Sequence, residues 1–193
     1  MTETQPDVTA EPDAAARPDS LPRLPGAIRT RTYSWTDPAA TLGELAERPG
    51  IELLKAIASG ELPLPPIMQT LAIEPVDVGS GWIRFALEPH EMHYNPLGTV
   101  HGGVIATVLD SAAACAVHSV LTAGQGYTSL DLTSKYLRPV TAETGRVVVT
   151  GTVLSRGTRT ALAEARLTDG RDRLLAYATS TCMLFEMPTQ AHR

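Results

Sequence analysis

Two rows of apolar residues mark the longest regular element of the chain. Apolar positions recur at every fourth residue between His101 and Leu121. The rows are Val104, Val108, Ala112, Ala116 and Val120, and Ile105, Leu109, Ala113, Val117 and Leu121. A spacing of four places each row along one side of an α-helix. Because the two rows leave little polar surface, the sequence predicts a long helix that is buried on nearly all sides.

The segments on either side of this helix alternate apolar and polar residues, as half-buried strands do. Two of them precede the helix, at 71–78 and 82–87, around a turn-forming stretch at 77–81. Four follow it, at about 127–137, 145–155, 159–168 and 172–185. An apolar helix has to be covered, and an antiparallel sheet that curls around it does so with few residues. The predicted class is α+β, a long central helix wrapped by a curved antiparallel sheet.

The N-terminal third of the chain differs in composition. Residues 1–30 carry five prolines among acidic and small residues, with too few large apolar side chains to repay the entropy of ordering. They are predicted to be a disordered Pro-rich tail. Thr41 and Glu44 have the spacing of a capping box, and an apolar pattern of helical period spans 53–58. Residues 31–66 are therefore predicted to be a helical extension, ended by prolines.

Bulk properties narrow the class of protein. The chain has 193 residues, of which 43% are hydrophobic, enough for one main domain at 67–187 with a short C-terminal tail at 188–193. A net charge of -5 without a Lys and Arg cluster argues against nucleic acid as a partner. Cys115 and Cys182 lie in apolar stretches and are predicted to be buried free thiols. With neither a secretory signal nor an apolar run that could span a membrane, the expected location is cytoplasmic.

Asp110 is the acidic residue of the predicted helix, and it is the first candidate for chemistry. Its neighbours on the same face are the small residues Gly103, Ala106, Ala113 and Ala114, so the carboxylate is expected in a shallow furrow. A buried, unpaired carboxylate is costly. Asp110 therefore either accepts hydrogen bonds from the protein or faces a site that water and ligand enter, and the sequence leaves both interpretations open.

The start of the helix offers a second candidate site. Gly102 and Gly103 stand where backbone N–H groups lack partners within the helix and where negative charge is favoured, which suits an oxyanion hole. The alternative is that the two glycines only permit tight packing. Asn95 and His101 flank the preceding loop and could orient a water, the loop or a substrate carbonyl. For His101, fixing the loop by hydrogen bonds is the alternative to acting as a base.

Distance along the helix separates these candidates. Gly103 and Asp110 are seven positions apart, roughly 10 Å at about 1.5 Å per residue. One small reacting centre can hardly touch both. If both groups serve one reaction, the helix start of one subunit must meet the helix middle of another, so the sequence predicts at least a homodimer.

Several other chemistries lack the residues they need. The spacing of the histidines and nearby glutamates does not match a compact metal-binding pattern; these residues are Glu88, His90, Glu91, His93 and His101. No metal or cofactor is therefore expected. The chain also lacks a Gly-x-Ser-x-Gly nucleophile motif and a glycine-rich phosphate loop. Neither cysteine lies in a polar setting that would lower its pKa, so a thiolate nucleophile is not expected.

Two motifs together resemble a known family. The pattern Asn95-x5-His101-Gly102-Gly103-x6-Asp110, followed by Ser129-Leu-Asp-Leu-Thr-Ser-Lys-Tyr-Leu-Arg-Pro139, resembles the PaaI-like branch of the hotdog-fold acyl-CoA thioesterases. The resemblance covers roughly residues 67–185. It implies the hotdog fold, hydrolysis of acyl-CoA without a metal or prosthetic group, and an assembly that is often a homotetramer.

The resemblance also implies roles for individual residues. The backbone N–H of Gly102 would polarise the thioester carbonyl, and Asn95 would position the attacking water or the carbonyl. Asp110 of the neighbouring subunit would act as general base or nucleophile, and Ser129 would help to hold the water. Basic residues near strand ends would bind the CoA phosphates, which makes Arg138, Arg156 and Arg159 candidates. Their alternative role is that of solvated turn arginines.

Two further functions remain compatible with the sequence. One is a non-catalytic acyl-CoA sensor or storage protein with the same fold and pocket, and the other is a hotdog hydratase or dehydratase. Residues 1–66 precede the part that resembles the family. They are expected to cover either the acyl channel or an oligomer surface.

Overall fold

The computed structural model describes residues 26–187, without the side chains of residues 40, 42, 45 and 46. The chain divides into two units, Met1–Thr32 and Tyr33–Arg193. The described part of the first unit, 26–32, contains neither helix nor strand. Most of the predicted N-terminal tail and all of the predicted C-terminal tail lie outside the described residues.

Seven strands of the second unit form one antiparallel sheet. They are β1 Ile73–Gly79, β2 Trp82–Leu87, β3 Gln125–Ser129, β4 Thr133–Tyr136, β5 Val147–Arg156, β6 Thr160–Thr168 and β7 Leu174–Glu186. Their order across the sheet is β1-β2-β5-β6-β7-β3, and β4 also pairs with β7. The predicted strand segments are confirmed, with one correction: the segment predicted at 127–137 is two strands.

The break between β3 and β4 is a local bulge. Ser129 pairs with Cys182 and Thr133 pairs with Thr179, so the three residues at 130–132 stand opposite only two residues of β7. Asp131 secures the bulge, because its Oδ1 accepts from the N–H of Thr181 at 3.1 Å. Bulges of this kind bend a strand and redirect its side chains, and they are frequent beside active sites.

The central helix, α4, spans Gly102–His118 and lies against the sheet. Its predicted burial is confirmed: Val108, Leu109, Ala112, Ala113, Ala116 and Val117 are each at most 1% exposed. The helix approaches β5 so closely that a Cβ at Gly151 would lie 2.0 Å from the carbonyl oxygen of Ala112. A glycine is therefore required where the strand crosses the helix. The observed architecture is the predicted helix wrapped by an antiparallel sheet.

Three short helices precede the sheet: α1 Ala39–Glu47, α2 Gly50–Ala58 and α3 Pro66–Leu71. The predicted capping box at Thr41 is wrong, because α1 begins earlier and Thr41 Oγ1 donates to the carbonyl of Pro38 within the first turn. The prediction that the prolines end helical structure is also wrong at Pro66. Pro66 begins α3, since the first turn of a helix does not use the N–H that proline lacks. Two single 3-10 turns complete the structure, at Glu91–His93 and Ala142–Thr144.

Candidate functional site

The start of α4 presents one unused backbone donor. His101 is the N-cap, and its Nδ1 accepts from the N–H of Gly103 at 2.8 Å. Within residues 26–187, no acceptor is bonded to the N–H of Gly102. Tyr136 lies over this residue and donates from its Oη to the Gly102 carbonyl at 3.1 Å. Of the two glycines considered for an oxyanion hole, only Gly102 has its N–H available, because His101 occupies the other.

Asn95 builds the loop that leads into the helix. Its Oδ1 accepts from the N–H groups of Leu97 at 2.8 Å and Thr99 at 3.3 Å, and its Nδ2 donates to Thr99 Oγ1 at 3.0 Å. These bonds use one of the two amide hydrogens. The second hydrogen can bond a water or a carbonyl, so the side chain can shape the loop and contact a substrate.

These residues line one depression, which we call the helix-start site and define by Asn95, Gly102, Tyr136 and Arg138. Its volume is about 350 Å³. Gly102 and Asn95 supply donors, and Arg138 supplies a positive charge at its rim. The guanidinium of Arg138 is exposed and also donates to the carbonyl of Leu174. The site can bind a carbonyl oxygen or another group that carries negative charge.

A second depression surrounds Asp110 in the middle of α4. We call it the mid-helix site and define it by Asp110, Ser129 and the bulge at 130–132. Its volume is about 360 Å³. Ser129 Oγ donates to Asp110 Oδ1 at 2.9 Å, and the half-buried carboxylate faces the depression beside the small side chain of Ala106. Both interpretations of Asp110 therefore apply at once: its carboxylate accepts a hydrogen bond from Ser129, and it lines an open depression.

The two sites are separate within one chain. No residue lines both depressions among the described residues. Gly102 and Asp110 lie on the same unbroken helix, eight positions and hence roughly 12 Å apart along its axis. A reacting carbonyl cannot touch the Gly102 N–H and the carboxylate of the same chain at once.

The three candidate arginines do not lie together. Arg138 lines the helix-start site, whereas Arg156 donates to the carbonyl of Val120 at 2.7 Å and to Gln125 Oε1 at 3.0 Å, beyond the opposite end of α4. Arg159 is exposed in the turn between β5 and β6. Since α4 has 17 residues and is roughly 25 Å long, Arg156 is remote from the helix-start site of its own chain.

Both cysteines are free thiols, and burial raises the pKa of each. The pKa of Cys115 is raised to about 11, mainly because the thiol is removed from water. A raised pKa disfavours the thiolate form of both residues, in keeping with their apolar setting. The prediction of free thiols is confirmed for both, and the prediction of burial is confirmed for Cys182, whereas Cys115 is half-buried.

The histidines considered as metal ligands have local structural contacts. His93 Nδ1 accepts from the N–H of His90, and His90 Nδ1 accepts from the N–H of Met92. Across residues 26–187, no three His, Cys, Asp or Glu side chains are arranged to hold a metal ion. In the same part of the chain, no helix is both long enough and apolar enough to cross a membrane.

Sequence reasoning missed two residues of the sites. Tyr136, which bonds Gly102, stands in the Tyr-x-Arg-Pro motif but was not singled out for a role. Thr99 completes the Asn95 loop, and a polar residue four positions after an Asn at a turn could have indicated it.

Comparisons with known proteins agree with this geometry. A family model described as the Thioesterase superfamily matches residues 97–176, which include Gly102, Asp110 and Ser129. Acyl-coenzyme A thioesterase 13 of Mus musculus is 34% identical over 84 residues, covering 43% of this chain and 58% of that protein.

Solved structures share the fold over most of their length. A phenylacetic acid degradation-related protein from Ralstonia eutropha has a TM-score of 0.62 at 28% identity, covering 67% of this chain and 98% of that chain. The PaaI protein from the phenylacetic acid degradation operon of E. coli has a TM-score of 0.62 at 19% identity, covering 74% and 97%. The chain has the hotdog fold, and residues 97–176 match the thioesterase superfamily model. The predicted resemblance to the PaaI-like thioesterases is confirmed.

Proposed function

We propose that the protein hydrolyses acyl-CoA thioesters to the free acid and CoA, at a site that two copies of the chain form together. The observation that carries this proposal is the pair of complementary half-sites on one helix, roughly 12 Å apart, each incomplete alone. A two-fold arrangement that brings the helix-start site of one subunit to the mid-helix site of the other completes two active sites at once.

The chemistry follows from the groups at each half-site. Asp110 takes a proton from a water molecule, whose oxygen attacks the thioester carbonyl carbon. The carbonyl oxygen gains negative charge and is stabilised by the N–H of Gly102 at the positive end of α4. When the intermediate collapses, the carbon–sulfur bond breaks and CoA leaves as a thiolate that is then protonated. Ser129 holds the carboxylate during these steps.

The remaining candidate residues have supporting roles in this proposal. His101 acts through the helix start: by bonding the Gly103 N–H it orders the turn that presents Gly102. Asn95 positions the water or the carbonyl with its second amide hydrogen. Arg138 lies at the rim of the helix-start site and is assigned to a phosphate of CoA in this proposal, whereas Arg156 and Arg159 lie outside that site in the same chain.

The class of substrate is supported by the comparisons. The matching family is a thioesterase family, and the mouse relative is named an acyl-coenzyme A thioesterase. The match supports hydrolysis of a thioester, and the proposal extends it to acyl-CoA.

The test is turnover of a panel of acyl-CoAs by the wild type and by Asp110→Asn. Removal of a general base lowers kcat by about 10²–10⁴-fold, and release of the CoA thiol measures it. Asp77→Asn is the matched control, because Asp77 is exposed on β1, lines neither site, and an amide oxygen can still accept from the Val78 N–H. Full activity of Asp110→Asn would exclude the mechanism. Tight binding of acyl-CoA without release of CoA would favour the sensor or storage alternative.

A further inference from the structure

A cavity of about 170 Å³ lies between the N-terminal helices and the body of the domain. Ile57 of α2 and Met68 of α3 line one side, and Cys115, His118 and Tyr127 of α4 and β3 line the other. Nearly all other lining side chains are apolar, from Leu, Ile, Phe and Pro residues of α2, β1, β2 and the turn before α3. The helical extension is therefore one wall of an internal apolar space.

The cavity and the mid-helix site lie along the same contact between β3 and α4. Ser129 and Tyr127 are two residues apart on β3 and project from the same face toward α4. Ser129 bonds Asp110, and Tyr127 Oη lies 4.0 Å from Cys115 Sγ, so successive residues of β3 meet successive turns of α4. The wall of the cavity at Cys115 and Tyr127 therefore lies next to the mid-helix site along this contact, although no described residue lines both spaces.

The polar groups in the cavity wall carry no charge near neutral pH. Burial raises the pKa of Cys115 to about 11 and lowers the pKa of His118 to about 4, and it raises the pKa of Tyr127 well above its ordinary value. The rings of His118 and Tyr127 pack at 5.1 Å between centroids. An uncharged apolar guest therefore meets no buried charge in this wall.

The wall formed by α2 is docked tightly on α4. The N–H of Gly50 donates to the carbonyl of Leu121 at 3.0 Å, and a Cβ at Gly50 would lie 1.8 Å from the His118 carbonyl oxygen. The helical extension is thus packed closely against the domain beside the cavity.

We propose that this cavity receives the far end of a linear acyl chain whose thioester lies at the mid-helix site. The inference rests on the proposed function and adds a substrate class to it. Apolar cavities of about 150 Å³ accept hydrocarbon guests as large as benzene, so the end of an alkyl chain fits. From Asp110 to Cys115 and His118 the distance along α4 is roughly 8–12 Å. A dodecanoyl chain spans this distance and a butanoyl chain does not.

Ile57→Trp tests the proposal by filling the cavity from α2. The ratio of kcat/KM for dodecanoyl-CoA to that for butanoyl-CoA should fall by roughly tenfold or more, because one methylene in an apolar pocket changes this parameter by about tenfold or more. Ile57→Ala should deepen the cavity. It should therefore raise the ratio of kcat/KM for hexadecanoyl-CoA to that for butanoyl-CoA. Ile51→Trp is the matched control, the same change on the same helix at a residue that does not line the cavity. In Ile51→Trp, the ratio of kcat/KM for dodecanoyl-CoA to that for butanoyl-CoA should stay within about twofold of the wild-type ratio.

A second readout does not depend on turnover. Calorimetric titration with dodecanoate should show binding to the wild type that is weakened roughly tenfold in Ile57→Trp but not in Ile51→Trp. An unchanged chain-length ratio, an equal loss at every chain length, or equal dodecanoate binding by Ile57→Trp and the wild type would overturn the proposal. None of these outcomes contradicts hydrolysis itself, which fails only if the wild type cleaves no acyl-CoA.

Discussion

The helix-start site and the mid-helix site lie on the same helix but offer different chemical groups. One offers a main-chain group and the other a side chain. At the helix start, the candidate functional group is the main-chain N–H of Gly102, which has no acceptor among the described residues because it lies in the first turn of α4, whereas the neighbouring N–H of Gly103 is bonded to His101. In the middle of α4, the functional group is the side chain of Asp110, oriented by a hydroxyl from β3. In the proposed mechanism, the first site stabilises developing negative charge, and the second supplies a base.

The difference explains why the two groups lie apart. A helix has unused N–H groups only in its first turn, whereas a carboxylate near that turn would be attracted to the same donors and would compete with a substrate oxygen for them. Two turns further along, the carboxylate is free of the helix start and can be bonded by Ser129. In the proposed mechanism, the separation keeps the donor and the base from neutralising each other within a chain, and a second copy of the chain would bring them together.

The largest effect at the helix-start site is expected from Gly102→Pro. Proline lacks the N–H and suits this position, because it is the first residue of α4 and the preceding residue is extended, with ψ of 136°. The loss of one oxyanion donor should lower kcat by about 10²–10³-fold. Steady-state hydrolysis of acyl-CoA, with circular dichroism to check the fold, measures it.

Gly102→Ala distinguishes the effect of losing the N–H donor from the effect of adding a side chain at this position. It keeps the N–H, and its Cβ would lie 3.5 Å from the ring of Tyr136, an ordinary contact distance. The fall in kcat should be at least about tenfold smaller than for proline, because the donor remains. Equal losses in the two variants would show that the Gly102 N–H is not the group that matters.

A mixing experiment tests whether the two sites belong to different subunits. Asp110→Asn and Gly102→Pro are each expected to be nearly inactive, but a mixed dimer has one active site with both defects and one with neither. Random pairing of equal amounts should restore about a quarter of the wild-type activity, since half of the dimers are mixed and half of their sites are intact. Activity of co-refolded protein that stays at the level of the separate variants would place both groups in one chain.

Much of the fold is predictable from local patterns. The two rows on α4 and the alternation along β2 and β6 are short-range features, and each gives an element within a few residues of its observed bounds. The bulge at 130–132 and the helix that begins at Pro66 are not predictable in this way. They depend on pairing with β7 and on packing against β1, contacts between residues far apart in sequence.

The features of the candidate sites also divide into those set by local sequence and those set by contacts between residues far apart in sequence. The distance between Gly102 and Asp110 follows from the rise of one helix, so the sequence predicts it. The bond between Asp110 and Ser129 joins positions 19 residues apart on different elements, and only the family resemblance indicated that they act together. The arginines show that residue type and position near a strand end do not identify a site. Arg138 and Arg156 share both features but lie at opposite ends of α4.

The smallest of these effects is expected from Ser129→Ala, which tests how the mid-helix site is held. A hydrogen bond to a carboxylate contributes about 1.5–3 kcal/mol, and part of this orients the base, so kcat should fall roughly tenfold while KM changes less. Thr128→Ala is the matched control, since Thr128 is the exposed neighbour on β3 and projects from the other face. If Ser129→Ala keeps the wild-type kcat, Asp110 needs no partner from β3. The mid-helix site would then resemble the helix start, where one group acts with only local support.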